Sequence, residues 1–311
     1  MTSSFKCKCH ENYLLAHHTT LKIGGAAQYV FFPSNVDELL GLRKYLNENK
    51  IKMTLIGAGS NMLVSSAGVS GAVVFTKNLC SFVDLGNGKI NAEGGMKSVQ
   101  LAKIAQEMGL TGLEFLIGIP GTIGGAVVMN SSAHGQAIED VIECVEVLDL
   151  EGGKIEILAK EHLALGYRTS FAENNRYIIL NAVFNLNTGE PDKISELMDF
   201  HISYRKEKHP PMTEPSAGST FRNPARGVHV GRLIEELGLK GYIEGGAKIS
   251  EKHANFIINT GGAASLDVSR LMHRVYTEVK AKYGYDLIAE IRFIGEMSEE
   301  EEKIWTSFQV H

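Results

Sequence analysis

Hydrophobic residues recur along this chain in two patterns, one typical of helices and the other of strands. Apolar side chains three or four positions apart predict helices, and short β-branched or aromatic runs between turn residues predict strands. The predicted helices begin near Asn35, Ser98, Ile194, Val230 and Asp267. The predicted strands are 28–32, 53–56, 72–75, 145–148, 154–158, 177–184, 255–259 and 287–294. Strand-rich stretches separated by single helices predict an α+β fold of two or three modules.

Small residues mark where these elements turn or stop. Asn87-Gly88 predicts a tight hairpin turn, and Gly245-Gly246 predicts a second turn. Gly109, Gly238 and Gly284 predict helix ends, because glycine is the residue that most often closes a helix.

One apolar stretch, residues 112–135, fits neither pattern. Its four glycines from Gly118 to Gly125 each weaken a helix by roughly 1 kcal/mol, and Pro120 removes a backbone donor. The apolar part ends at Met129, short of the ~18 residues that a membrane span needs. Glycine at this density lets the backbone pass close to a ligand. We therefore predict a buried cofactor cradle, and a tightly packed turn without a ligand is the alternative.

A second glycine-containing loop, Gly57-Ala-Gly-Ser-Asn61, follows the predicted strand 53–56. It is not a dinucleotide-binding fingerprint, because Met62 occupies the third glycine position and no long amphipathic helix follows. The chain also has no P-loop motif. A loop of this kind can donate backbone N–H groups to a phosphate, and a plain turn is the equal alternative.

Composition and charge exclude several classes of protein. The 311 residues are 44% hydrophobic and 22% charged, as in globular proteins large enough for two domains. A formal net charge of −5 argues against nucleic acid as the main partner. Cys7, Cys9, Cys80 and Cys144 form neither a disulfide framework nor a metal-binding pair. With no signal peptide visible at the N-terminus, we predict a cytoplasmic protein without a metal site.

Several polar residues interrupt apolar surroundings and are candidates for chemistry. Arg168 lies in a loop between buried elements, where a surface salt bridge is the alternative. The loop 215–224 brings together a hydroxyl, a guanidinium and an amide. Lys208 lies at a predicted helix end, where a cation also favours the helix dipole, and alternation explains Glu290 and Arg292 as outward-facing. Pattern and composition alone therefore indicate an α+β protein that binds a phosphate-bearing ligand.

Seven segments stand in order between about His18 and Gly295. They are His18-Thr-Thr-Leu-Lys-Ile-Gly-Gly25, Gly57-Ala-Gly-Ser-Asn61, Gly118-Ile-Pro-Gly-Thr-Ile-Gly-Gly-Ala126, Tyr167-Arg-Thr-Ser170, Ala217-Gly-Ser-Thr-Phe-Arg-Asn-Pro224, His253-Ala-Asn-Phe-Ile-Ile-Asn259 and Glu290-Ile-Arg-Phe-Ile-Gly295. This series resembles the UDP-N-acetylenolpyruvoylglucosamine reductase (MurB) family, flavoenzymes that make UDP-N-acetylmuramic acid for peptidoglycan. The short connection after Arg168 resembles the class that lacks an extra tyrosine-bearing loop over the substrate.

The resemblance implies an FAD-binding domain of the vanillyl-alcohol oxidase and p-cresol methylhydroxylase type, in two subdomains, followed by an α+β substrate-binding domain. The implied divisions are an N-terminal tail at 1–17, the FAD-binding domain at 18–187 with a split near 78, the substrate-binding domain at 188–295 and an acidic tail at 296–311. The last strand is expected to carry Glu290 back to the active site. The acidic composition of the tail after Gly295 predicts a peripheral segment.

The chemistry of the family implies roles for three residues. NADPH reduces non-covalently bound FAD, whose N5 gives a hydride to C3 of the enolpyruvyl ether, and C2 is then protonated. Arg168 and Glu290 match the family positions that stabilise the enolate-like charge on the substrate. Glu290 can donate a hydrogen bond only if it is protonated, which requires a raised pKa in a dry site. Ser219 matches the serine that gives the proton to C2.

The resemblance also implies residues that bind ligands. Lys208, Arg222 and Asn223 are expected to hold the substrate. Contacts with FAD are expected from Gly57, Ala58, Gly59, Ser60, Asn61, Ile117, Pro120, Gly121, Thr122, Gly124, Gly125 and Ala126. The expected partners are two small molecules, UDP-N-acetylglucosamine enolpyruvate and NADPH, with no nucleic acid, membrane or obligate protein partner.

One segment departs from the family, and two other functions stay open. This chain has Met129-Asn-Ser-Ser-Ala-His-Gly135 where the family commonly has Met-Asn-Ala-Gly-Ala-Tyr-Gly. A flavin oxidase or dehydrogenase of the same fold is one alternative, but it has no need for Lys208, Ser219 and Asn223 together. A nucleotide-sugar binder that has lost its flavin is the other, and the presence of Arg168 and Glu290 beside Ser219 counts against it.

Overall fold

The computed structural model describes residues 7–172 and 176–308. Its helices are α1 Val36–Glu48, α2 Ser98–Glu107, α3 Ile123–Val128, α4 Ile138–Val141, α5 Pro191–Lys208, α6 Val230–Glu236, α7 Ser265–Tyr283 and α8 Glu299–Ser307. Its strands are β1 Cys9–Leu14, β2 Ala26–Phe31, β3 Met53–Ile56, β4 Met62–Val64, β5 Val69–Phe75, β6 Phe82–Gly86, β7 Lys89–Glu93, β8 Leu110–Thr111, β9 Ser132–Ala133, β10 Gln136–Ala137, β11 Ile142–Asp149, β12 Ile155–Ala159, β13 Tyr177–Asn185, β14 Asn187–Thr188, β15 Ser216–Ser219, β16 Ile243–Glu244, β17 Ala247–Ile249, β18 Phe256–Asn259 and β19 Arg292–Ile294. The predicted α+β composition is therefore confirmed.

The chain forms two compact units, each built from separate pieces of sequence. Unit 1 comprises the described residues of Met1–His10, Val30–Ala58 and Gly71–Arg205. Unit 2 comprises those of Glu11–Tyr29, Gly59–Ser70 and Lys206–His311. These units are divided differently from the predicted divisions at 17/18, 187/188 and 295/296, and those domain boundaries stay a prediction.

The largest sheet of unit 1 has five antiparallel strands in the order β12-β11-β13-β7-β6. The predicted turn joins β6 to β7, with positive φ at Asn87 (52°) and Gly88 (78°), as a two-residue hairpin requires. The inner strands pack with α2 and α3 around a core whose fully buried members include Phe115, Val145 and Phe184. This core positions the glycine-rich stretch.

Strands β3 and β5 of the smaller four-stranded sheet, whose order is β1-β2-β5-β3, pair in parallel. Parallel strands need a crossover connection. The connection from β3 to β5 begins with the loop at Gly57 and includes β4. Helix α1 starts where predicted, because the Asn35 side chain accepts a hydrogen bond from the Glu38 N–H at 2.8 Å.

Unit 2 centres on the antiparallel sheet β15-β18-β17-β16. Helix α7 provides the longest apolar face, with Val268, Leu271, Met272 and Val275 buried. It ends as predicted at Gly284, which has the left-handed conformation. Strands β4 and β19 form a separate parallel pair. The predicted strand 287–294 is thus regular only in its last three residues, although Leu287, Ala289 and Ile291 are buried in strand-like alternation.

Two segments differ from their sequence-based descriptions. The glycine-rich stretch, which was predicted not to form an ordinary helix or strand, contains a short helix of six residues, α3. The acidic segment after Gly295 is not peripheral, because α8 buries Ile304 and Trp305 in the core of unit 2. Acidic residues favour the first turn of a helix, and Glu299 to Glu302 occupy that turn.

Among the described residues, no helix combines the length and the apolar content needed to cross a bilayer. The same residues contain no cluster of three or more side chains suited to hold a metal ion.

Candidate active site

Two of the predicted glycine-containing segments meet in unit 1 at the start of α3. A Cβ at Gly57 would lie 2.5 Å from Thr122 Oγ1, so only glycine allows this approach. Thr122 is the N-cap of α3, and its hydroxyl accepts a hydrogen bond from the Gly125 N–H at 3.4 Å. Gly125 is exposed, so main chain without a side chain forms the surface here. The structure thus builds a cradle from Gly57, Thr122 and the first turn of α3.

A third segment, residues 94–98, completes this cradle, and the sequence interpretation did not select it. The Gly124 N–H donates to Gly94 O at 2.7 Å, and the Ile123 N–H donates to Met96 O at 2.8 Å. A Cβ at Gly94 would lie 2.1 Å from Ile179 O, so glycine is required there. The glycine pair directly after β7 is the signal that could have identified it.

The remaining predicted FAD contacts of unit 1 line this region to different extents. Ile117 and Ala126 are buried in the core, whereas Ala58, Pro120 and Gly121 are half-buried. The two buried residues are part of the hydrophobic core of unit 1.

Gly59 and Ser60 belong to unit 2, where Thr20 holds their loop. The Thr20 N–H donates to Gly59 O at 3.0 Å, and the Thr20 hydroxyl donates to Ser216 O at 2.6 Å. Gly59 has φ +63°, and a Cβ there would lie 2.3 Å from His18 O. The first motif of the series, which begins at His18, therefore packs against the second.

Asn61 connects this loop to the segment that carries Glu290. Asn61 Nδ2 donates to Glu290 O at 3.0 Å, and the Arg292 N–H donates to Asn61 O at 3.1 Å. The Asn61 side chain therefore restrains the main chain at Glu290.

Ser219 lies at the end of β15 in an irregular part of the strand. Ser216 lies opposite Ile258 and Ser219 opposite Phe256, so β15 has one residue more than β18 between these pairs. Gly218, with φ +81°, lies in this bulge. A bulge re-aims the side chains beside it, and here it sets the direction of Ser219.

The segments that carry Ser219 and Glu290 run side by side in unit 2. The Glu290 N–H donates to Thr220 O at 2.8 Å, and the Arg222 N–H donates to Ile288 O at 2.9 Å. Both Ser219 and Glu290 are half-buried. The structure thus brings two of the three predicted catalytic residues into neighbouring segments of one unit.

A buried asparagine holds the chain just after Ser219, and it is a second residue that the sequence interpretation missed. Asn255 is 4% exposed. Its main-chain oxygen accepts the Thr220 N–H at 2.7 Å, and its side chain both accepts the Phe221 N–H at 3.1 Å and donates to Phe221 O at 2.8 Å. Its place within the sixth motif, His253-Ala-Asn, was the available signal.

Arg168 lies in a tight loop of unit 1. Gly166 and Thr169 exchange main-chain hydrogen bonds of 3.2 and 3.3 Å, and Arg168 has φ +60°. Its Nη1 donates to Ser132 Oγ at 2.8 Å, and its guanidinium carbon lies 5.3 Å from the centre of the Tyr167 ring. The Arg168 guanidinium thus forms a hydrogen bond and a ring contact within unit 1.

The three predicted substrate-binding residues belong to unit 2. Lys208 ends α5, is about half exposed and forms a 2.7 Å ion pair with Glu207. Asn223 Oδ1 accepts the Val230 N–H at 3.1 Å at the start of α6, and Arg222 is half-buried. Their role in binding stays a prediction.

Two stacked imidazoles form an unusual feature of unit 1. The rings of His134 and His201 have centroids 3.9 Å apart, and His201 is 3% exposed with no hydrogen bond to either ring nitrogen from the described residues. Burial lowers the pKa of both histidines, and the neighbouring His134 lowers the pKa of His201 further, whereas Glu114 opposes this. The buried ring of His201 is therefore neutral at pH 7.

Comparison with known proteins defines the class of this chain. Residues 27–159 match the family model of an FAD binding domain, and residues 210–294 match that of the C-terminal domain of UDP-N-acetylenolpyruvoylglucosamine reductase. The predicted fold, an FAD-binding domain followed by a C-terminal α+β domain, is thereby confirmed. The class is that of FAD-dependent oxidoreductases.

Relatives over the full length specify the family. The chain is 44% identical to UDP-N-acetylenolpyruvoylglucosamine reductase of Caldanaerobacter subterraneus subsp. tengcongensis, covering 93% of this chain and 94% of the relative. It is 41% identical to the Bacillus subtilis reductase, with coverage of 91% and 93%. The crystal structure of MurB from Thermus caldophilus superposes with a TM-score of 0.78 at 32% identity, covering 93% of this chain and 99% of that one. The chain belongs to the UDP-N-acetylenolpyruvoylglucosamine reductase family.

The start of α3 offers exposed main chain of the kind that binding of the FAD pyrophosphate uses. Side chains are excluded at Gly57 and Gly94, and added Cβ atoms at these positions would collide with neighbouring atoms. Gly125 is exposed and carries no side chain, so its main chain can approach an anionic group closely.

Proposed function

We propose that this protein reduces UDP-N-acetylglucosamine enolpyruvate to UDP-N-acetylmuramate with NADPH, as an FAD-dependent oxidoreductase of peptidoglycan synthesis. The observation that carries the proposal is 44% identity across 93% of the chain to a reductase of this name. When bound, FAD reduced by NADPH supplies a hydride from N5 to C3 of the enolpyruvyl group. The cradle around Gly57 and Thr122 would hold FAD through main-chain contacts, and Gly59, Ser60 and Asn61 would add contacts from their loop.

Arg168 and Glu290 stabilise the charge that develops on the substrate. Hydride addition at C3 makes negative charge grow toward the substrate carboxylate, and donors held in place before the reaction stabilise that charge most. Arg168 provides a permanent cation. Glu290 acts as a hydrogen-bond donor in its protonated form, and the bond from Asn61 Nδ2 to Glu290 O restrains its main chain.

Ser219 supplies the proton that completes the reaction. Its hydroxyl proton passes to C2, and solvent then reprotonates the serine oxygen. Proton transfer by a side chain requires a defined position, and the bulge at Gly218 together with Asn255 fixes the main chain on either side of Ser219.

Lys208, Arg222 and Asn223 hold the sugar nucleotide. Lys208 and Arg222 carry positive charge that suits a diphosphate. We further propose that the enzyme works in the cytoplasm on these small molecules, without nucleic acid, membrane or an obligate protein partner.

The test is an anaerobic experiment in two steps that follows flavin absorbance at about 450 nm. NADPH should bleach the purified protein, and UDP-N-acetylglucosamine enolpyruvate should restore the absorbance. Bleaching without recovery would refute the proposed substrate and favour an oxidase of the same fold.

The same assay separates the role of Ser219 from flavin binding. In Ser219→Ala, bleaching by NADPH should keep its rate within about twofold, while recovery should slow by at least about 100-fold, because the proton donor is lost. Ser216→Ala, which removes a hydroxyl from the same strand, is the matched control and should behave as wild type. Normal turnover by Ser219→Ala would contradict the assigned role.

A further inference from the structure

The hairpin formed by β9 and β10 presents a hydroxyl to Arg168. Ala133 pairs with Gln136 and Ser132 with Ala137, so His134 and Gly135 form a two-residue turn. Both turn residues have positive φ, 55° and 83°, as the compact hairpin turn demands. Ser132 is therefore part of an ordered hairpin rather than a loose loop.

Helix α5 holds the tip of this hairpin. The His134 ring stacks on His201 at 3.9 Å between centroids and meets the Tyr204 ring edge-on at 5.0 Å. Because His201 is buried, the hairpin is anchored to the body of unit 1 at the end opposite Ser132.

The loop of Arg168 is tied to the same piece of chain that leads into the hairpin. Asn130 Nδ2 donates to Gly166 O at 3.0 Å, and Ser170 Oγ donates to Val128 O at 2.9 Å. Asn130 is 2% exposed, and its Oδ1 also accepts the Glu139 N–H at 3.0 Å. These hydrogen bonds fix the main chain of the Arg168 loop relative to the main chain of the hairpin.

Within this frame, Ser132 Oγ accepts a 2.8 Å hydrogen bond from Arg168 Nη1. A guanidinium has five N–H donors at the end of a long flexible side chain, and this bond uses one of them to select its orientation. A hydrogen bond to a charged group is stronger than one between neutral groups.

We propose that Ser132 is a positioning residue for the reaction, whose hydroxyl orients the Arg168 guanidinium toward the developing charge of the substrate. The inference rests on the proposed function, since it assigns Ser132 an effect only through Arg168.

The experiment measures the two half-reactions separately by anaerobic stopped-flow at about 450 nm. In Ser132→Ala, recovery of flavin absorbance on mixing the NADPH-reduced protein with UDP-N-acetylglucosamine enolpyruvate should slow by about tenfold or more, the effect of one lost bond to a charged group. Bleaching by NADPH should stay within about twofold of wild type. Ser132→Thr keeps the hydroxyl and should restore most of the rate.

Ser131→Ala is the matched control, because it removes the hydroxyl of the adjacent residue, which is half-buried like Ser132. It should recover at the wild-type rate. If Ser131→Ala slows recovery as much as Ser132→Ala, the effect is a general disturbance of the hairpin and the proposal is overturned.

A double-mutant cycle with Arg168→Lys tests whether Ser132 acts through the guanidinium. In the Arg168→Lys background, Ser132→Ala should change the recovery rate by less than about twofold. The effects of substitutions at two contacting residues are not additive, because the first substitution already removes their interaction. An equal slowing in both backgrounds would overturn the proposal, as would wild-type recovery by Ser132→Ala. Failure of the unmutated protein to recover would instead refute the proposed function itself, and the assignment of Ser132 would fall with it.

Discussion

Trp305 is the only tryptophan of the chain. Together with Phe308, it packs helix α8 against aromatic residues that follow Ser219 and Glu290 in the sequence. Its ring lies 5.3 Å from that of Phe293, three residues beyond Glu290, and 5.4 Å from that of Phe308. Phe308 in turn meets Phe221 at 5.7 Å, two residues beyond Ser219. We therefore predict that Trp305→Ala destabilises unit 2.

The magnitude follows from the burial of Trp305 and its contacts. Trp305 is 5% exposed, and truncating a buried tryptophan to alanine costs about 3–5 kcal/mol. The indole N–H bond to Ser269 Oγ at 3.0 Å is also lost, but Ser269 still donates to Ser265 O at 2.9 Å and is not left without a partner. Against a total stability of about 5–15 kcal/mol, the loss should lower Tm by roughly 6–20 °C.

The assay is unfolding followed by far-UV circular dichroism, since the variant lacks the fluorescent residue. FAD is kept saturating in every sample, because ligand binding changes apparent stability. Trp305→Phe keeps an aromatic ring and loses the N–H bond, so it should cost only about 1–2 kcal/mol.

Phe200→Ala is the control, because Phe200 is 57% exposed and exposed substitutions usually change stability by less than about 0.5 kcal/mol. A Tm of Trp305→Ala within about 2 °C of wild type would refute the reasoning. It would mean that the acidic C-terminal segment is peripheral, as its composition first indicated.

Two further predictions concern unit 1. Because burial and His134 lower the pKa of His201, the unfolded chain binds a proton that the folded chain does not, and stability should fall as the pH drops below 6.5. His201→Phe should flatten that dependence in denaturant titrations between about pH 7.5 and 5.5, whereas His17→Asn, at an exposed histidine, should leave it unchanged; an unchanged slope in His201→Phe would contradict the prediction. Gly57→Ala would place a methyl group 2.5 Å from Thr122 Oγ1 and displace the N-cap of α3. Its FAD dissociation constant, measured by flavin fluorescence, should rise at least about tenfold, because the displaced main chain would no longer be preorganised to bind FAD. A wild-type affinity would show that the cradle tolerates the movement.

Local features of the fold could be predicted because they depend on residues close in sequence. The cap at Asn35, the turn at Asn87-Gly88 and the helix end at Gly284 were all confirmed. Each depends on an intrinsic backbone preference or on a side chain that reaches three residues along the chain. The family was recognisable for a related reason, since its motifs are short runs of specific residues.

Contacts between distant residues could not be predicted in this way. The bond from Asn61 Nδ2 to Glu290 O joins residues 229 positions apart, and that from Arg168 to Ser132 joins residues 36 apart. No periodicity indicates such pairs, because they depend on how elements pack after long loops have closed. Gly94 must be glycine because of Ile179 O on another strand, so the Gly94-Gly95 pair marked the segment in the sequence but did not show its contact.

Helix α8 shows where local and tertiary effects separate. Four consecutive glutamates at its start made the segment appear solvated, yet Ser298 and Glu301 form a capping box that begins a helix. Only the packing against α7 buries the Ile304 and Trp305 face. Sequence thus determines whether a helix can form and which chemical groups it carries, whereas burial depends on the apolar surface that a distant part of the chain provides.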